Sequence, residues 1–100
     1  MEASLTHEEF SKHAKTSFWT QADDNSRVEL ELVEVSEIKV YPEQEEFSLE
    51  FRGPLSMFLD QGVRNISHDQ MGQFELFIVP IKQDENGFYY EAVFNRLREQ

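Results

Sequence analysis

Apolar side chains recur at every second position along much of this chain, the period of an extended strand whose two faces meet different surroundings. Phe47, Leu49 and Phe51 alternate with Ser48, Glu50 and Arg52, which predicts a strand over 46–52 with one buried and one solvated face. Val28, Leu30 and Leu32 alternate in the same way before the phase shifts to Val33 and Val35. One extra residue produces such a shift, so the strand expected over 27–40 carries a β-bulge or a sharp bend. Ser17-Phe18-Trp19-Thr20-Gln21 is strand-forming and runs into the turn cluster Asp23-Asp24-Asn25-Ser26, giving a strand over 17–21. Tyr41-Pro42-Glu43-Gln44 and Gly53-Pro54 are further turns, because proline cannot donate to a ladder. A shorter strand over 63–68 is expected between Gln61-Gly62 and Gln70-Met71-Gly72, while 55–61 shows no period.

The pattern changes only near the start. Thr6 followed three residues later by Glu9 is a capping box, and Leu5 can staple onto Phe10, which predicts a helix over 7–15. Phe10 and Ala14 share one face, and Glu8 and Lys12 form an exposed pair on another. The apolar stripe is narrow.

The last part of the chain has the most apolar strand. Gln73–Lys82 and Phe88–Arg96 flank Asp84-Glu85-Asn86-Gly87, which fits a type I turn with a left-handed glycine in a three-residue loop, joining strands over 73–82 and 88–96. That turn would pair Val79 with Val93 and Ile78 with Phe94. Leu76, Ile78, Tyr90, Ala92 and Phe94 then share one face, and Phe77, Val79, Ile81, Tyr89 and Val93 the other. Both faces are largely apolar, whereas a surface hairpin normally has one. The second face needs a cover: either the N-terminal helix, through Phe10, Ala14 and Trp19, or another protein.

These elements predict a mainly β fold, an antiparallel barrel of about six strands or a compact sandwich with one short N-terminal helix. One hundred residues with 13 aromatic side chains suit a single domain over 1–100. No cysteine is present, so disulfides, thiolate metal sites and a cysteine nucleophile are excluded. Neither a signal-peptide pattern nor a membrane-spanning run is visible, and the expected location is cytoplasmic, with no membrane partner. A formal charge of −11 repels phosphate backbones and argues against direct nucleic-acid binding. Eight glutamates stand against three basic residues between Arg27 and Arg52, and Glu29 and Glu31 share a strand face as an acidic stripe.

Candidate chemistry is sparse. Ser67-His68-Asp69 holds the residue types of a hydrolytic triad, but neighbours on a strand point to opposite faces and cannot relay a proton. His7 and His13 lie on opposite sides of a short helix and lack the spacing of a metal pair. Asp23-Asp24-Asn25-Ser26 lacks the glycine and terminal glutamate of a calcium loop. No phosphate-binding loop or nucleophile elbow occurs. No catalytic residue, metal ligand or cofactor is therefore expected.

Leu5-Thr6-His7-Glu8-Glu9-Phe10, Val28 to Val35, Phe47 to Pro54, Gln61-Gly62, Phe74 to Ile81 and Tyr90 to Asn95 occur in an order that resembles an uncharacterised family of short bacterial proteins. The Phe51-Arg52-Gly53-Pro54 block is its most specific element, supported by Tyr90-Glu91-Ala92-Val93-Phe94. The resemblance implies a bacterial or phage-related single domain and carries no catalytic residues. A proline-containing turn expected near Ser67–Gln70 is missing, which leaves the strand boundary there open.

The expected function is a non-catalytic protein-interaction or assembly module, acting on a protein partner or on a second copy. Phe77, Val79, Ile81, Tyr89 and Val93 would supply its apolar part, and Glu29, Glu31 and Arg52 its polar rim. The alternative is an acidic inhibitor or immunity-type protein that imitates nucleic acid or blocks a basic active site.

Overall fold

The computed structural model describes residues 5–97, with side chains through Asn95, so the ends of the expected 1–100 domain lie outside the described residues. The chain runs α1 (His7–Lys12), β1 (Ser17–Gln21), β2 (Arg27–Val35), β3 (Lys39–Val40), β4 (Gln44–Gly53), β5 (Gly62–His68), β6 (Gly72–Asp84) and β7 (Gly87–Leu97). The strands follow the order β2-β1-β5-β6-β7-β4-β3, and β2 also pairs with β4. That second pairing closes six antiparallel strands into a barrel, with β3 as an extra strand on β4. Closure gives each of the six barrel strands a neighbour on both sides and selects the barrel over the sandwich, while β3 remains an edge strand.

The interior follows from the period-two pattern. Phe18, Leu30, Leu32, Phe51, Ile66, Ile78 and Tyr90 are fully buried, and Phe47, Leu49, Leu76 and Ala92 nearly so. Each end of the barrel is plugged. Phe10 enters one end with ring centroids 5.8 Å from Phe74, 5.4 Å from Phe94 and 6.4 Å from Phe47. Leu59 of the 54–61 loop closes the other, its N–H donating to the Tyr90 hydroxyl at 2.9 Å.

Several expected boundaries move, each for a local reason. The helix stops at Lys12 rather than 15, because Lys15 takes φ 70° and its N–H turns to the Leu32 carbonyl at 2.7 Å. The Thr6 hydroxyl accepts from Glu9 N–H as expected, but the Glu9 carboxylate bonds Lys12 instead of closing the box. The strand predicted over 27–40 is two strands, interrupted at 36–38. Here the Ser36 carbonyl accepts from His7, and its hydroxyl from Ser48 N–H at 2.8 Å. The register does shift between Leu32 and Glu34, where the phase change places a bulge. The Lys15 ammonium donates to the Val33 carbonyl at that bulge, at 2.8 Å.

The closing hairpin differs most. Asp84 pairs directly with Gly87, leaving Glu85 and Asn86 as a two-residue tip, and a second irregularity lies between Pro80 and Lys82. Val79 therefore faces Glu91 rather than Val93, and Pro80 faces Tyr90. Gly87 is required by proximity: a Cβ there would overlap the Gly53 carbonyl oxygen and lie 2.9 Å from Arg52 Cγ.

Candidate functional site

Alternation along β5, β6 and β7 turns one set of side chains into the barrel and the other outward. Val63 and Phe77 are register partners on β5 and β6 and remain 61% and 52% exposed. Val79 and Glu91 are partners on β6 and β7, so Phe77 and Val93, two residues from each, project from the same outer face. Val93 is 53% exposed, Ile81 is exposed within the irregular stretch, and Val79 is half-buried. Tyr89 does not join the exposed set. It is buried, its hydroxyl donates to Asp84 at 3.0 Å, and the Lys82 ammonium lies 4.9 Å from its ring centroid.

The helix does not cover this face. Its one fully buried residue, Phe10, points into the barrel against Phe47, Phe74 and Phe94. Trp19 sits on β1, paired with Glu29 and Ser67, and leaves Val63 and Phe77 more than half exposed. An interior end-plug buries Phe10 completely, which no position on the outer face offers.

The charged residues are arranged differently from the expected rim. Glu29 and Glu31 lie on β2, three strands from β6 in either direction round the barrel. Both are engaged locally, Glu29 with Arg27 at 3.2 Å and Glu31 with Arg52 across the β2–β4 pair. Arg52 in turn stands beside Tyr89. The acidic residues beside the apolar face are Glu75, which shares the outward phase of Phe77, and Glu91, which is opposite Val79. Glu91 also opposes Glu50, which opposes Glu34, making a row of three carboxylates. Like charges directly opposite are unfavourable, and the Lys82–Glu50 pair at 3.6 Å offsets only part of that cost. Val63, Glu75 and Glu91 are absent from the sequence-derived set, although their parity within each strand marks them as outward.

His68 has a structural task. Its Nδ1 accepts from the N–H groups of Gln70 and Met71 at 3.0 and 3.3 Å, and its Nε2 lies 3.0 Å from the Thr16 hydroxyl. A ring nitrogen that accepts two N–H bonds must be unprotonated, so Nε2 carries the hydrogen. Burial, then the neighbouring His13, holds the ring below its ordinary 6.5, while Asp69 acts in the opposite sense. This histidine shapes the 69–71 turn in place of the expected proline, and Gly72 leaves it at φ 82°. His68 is buried and Asp69 exposed, so the triplet Ser67-His68-Asp69 forms no relay.

In the 22–26 turn, Asp24 Oδ1 accepts from Ser26 N–H at 2.9 Å, and the Ser26 bonds hold this carboxyl below its ordinary range. Among the described residues, no cluster of three or more potential metal ligands forms, and no helix is long and apolar enough to cross a membrane. A groove of about 460 Å³ lies where β1 and β5 diverge.

Residues 5–94 match the model of a family described as a domain of unknown function, DUF6916. Neither a curated protein nor a solved structure matches the chain.

Proposed function

The chain belongs to the DUF6916 family, and we propose that it works as a non-catalytic interaction module whose outer β5–β6–β7 face receives another protein. One observation carries this reading: Val63, Phe77 and Val93 share an outward apolar face that the chain's own helix leaves uncovered. Exposed apolar clusters rimmed by polar residues commonly mark interaction sites. β5, β6 and β7 each have a strand neighbour on both sides, so contact at this face comes through side chains.

The charge beside the face favours a different protein over a second copy. Glu75, Glu91 and Glu50 would meet their own counterparts in a face-to-face dimer. A partner with an apolar anchor ringed by lysine or arginine satisfies both features, and its association is accelerated by the charge. His68 is committed to backbone hydrogen bonds, which supports a non-catalytic role. The bacterial or phage-related setting and cytoplasmic location implied by the resemblance form part of the same proposal.

A photo-cross-linking amino acid placed at Phe77 in the producing cell tests the reading. A cross-linked partner whose purified complex weakens with Phe77→Glu and with added salt is the expected result. A product of two copies identifies a homodimer instead, and cross-linking that yields only uncoupled chain overturns the proposal.

A further inference from the structure

The groove between β1 and β5 arises from the register. These strands pair only at Trp19 and Ser67 among the described residues, so they part on the side of the 22–26 turn. The Thr20 hydroxyl donates across the gap to the Asn65 carbonyl at 2.8 Å. Around the opening stand Trp19, Gln21, Asn25, Asn65 and Gln73. None of the four amide side chains hydrogen-bonds another described residue. Each therefore offers both a donor and an acceptor to an occupant.

We infer that this groove binds a neutral saccharide, with the Trp19 indole against a sugar ring and the amides on its hydroxyls. The Arg27 guanidinium lies 4.2 Å from the Trp19 ring centroid and is not among the groove's lining residues. Hydroxyls donate and accept, as amides do, and a sugar's C–H faces complement an aromatic surface. A volume of about 460 Å³ is within the range of small-molecule sites. Competing ligands fit less well. The one basic residue in the lining, Arg64, is paired with Asp23 at 3.5 Å, and the chain's charge of −11 opposes phosphates. Apolar peptide anchors would find only Trp19, Ala22 and Val63 to pack on.

Trp19 is the sole tryptophan, so its fluorescence reports directly on the groove. Cellotriose, maltotriose, chitotriose and mannotriose are the probes, followed by fluorescence and by amide NMR shifts of the full chain. At least one is expected to saturate below about 10 mM and to shift Gln21, Asn65 and Gln73. In calorimetry with that sugar, Trp19→Ala and Gln73→Ala each weaken binding roughly tenfold. Val63 borders both the groove and the proposed docking face, but Val93 on β7 lies outside the groove lining. Val93→Glu therefore leaves sugar binding unchanged and distinguishes this site from the protein-docking reading. The proposal is overturned by silence from all four sugars at that concentration, or by shifts that map elsewhere on the barrel. Undiminished binding to a folded Gln73→Ala variant overturns it too, and that test holds even if Trp19→Ala does not fold.

Discussion

Phe77 stands directly across from Val63 on neighbouring antiparallel strands, and both project outward, although Phe77 lies between the buried Leu76 and Ile78. The pair gains little from folding, since about half of each side chain stays in water. The proposed docking role rests on this exposed apolar pair.

Phe77→Glu is accordingly expected to leave stability within about 0.5 kcal/mol of the parent, as for surface substitutions. Urea unfolding checks this. A loss of several kcal/mol would place Phe77 in the core and remove the basis of the docking face.

Glu91→Gln relieves the repulsion from the facing Glu50 and is expected to raise stability by about 0.2–1 kcal/mol at low salt, with a smaller gain at high salt. The same change should weaken a basic partner. Greater stability with unchanged partner affinity would assign the carboxylate row no role in docking.

His68 makes stability pH-dependent in a defined direction. Its folded pKa lies below the unfolded 6.5, so the unfolded chain takes up the proton first as pH falls. Its contribution is present above pH 6.5 and is lost as pH falls through the depressed folded value. Protonation at Nδ1 would also cost the Gln70 and Met71 bonds. Urea midpoints between about pH 8 and pH 5 should decline, and His68→Gln should flatten that decline. Asp24 and Asp84, both held below 3.8, act only in more acidic solution.

Gly87→Ala is expected to destabilise by more than about 2 kcal/mol, because the new methyl must displace the Gly53 carbonyl or the start of β7. Gly62 is the control. It shares the φ of 156°, but a Cβ there would find nothing within 4 Å, so its alanine variant carries the backbone cost without the overlap. Equal losses at the two sites, read from urea midpoints, would show that backbone conformation rather than contact decides.

Much of the fold is legible in local pattern. The Thr6 cap, the strand over 17–21, the alternation through Phe47, Leu49 and Phe51, and the bulge after Leu32 rest on interactions between residues close in sequence, or on the period-two pleat itself. The hairpin register is not legible, because the second irregularity near Ile81 slips the pairing and leaves no mark in the apolar pattern. The expected acidic rim is misplaced for a related reason. Glu29 and Glu31 are dense in sequence, but only closure of the barrel puts β2 opposite β6.

The sequence by itself determined the β class, the capped helix, the alternating inner and outer positions of β4 and the strongly acidic balance, since each follows from residue type and short-range spacing. Tertiary structure decided whether Phe10 would roof the outer face or enter the barrel, which strands would meet, and where β1 and β5 would part. Those outcomes depend on contacts between distant segments, where burying one phenylalanine completely or pairing β2 with β4 outweighs any local preference.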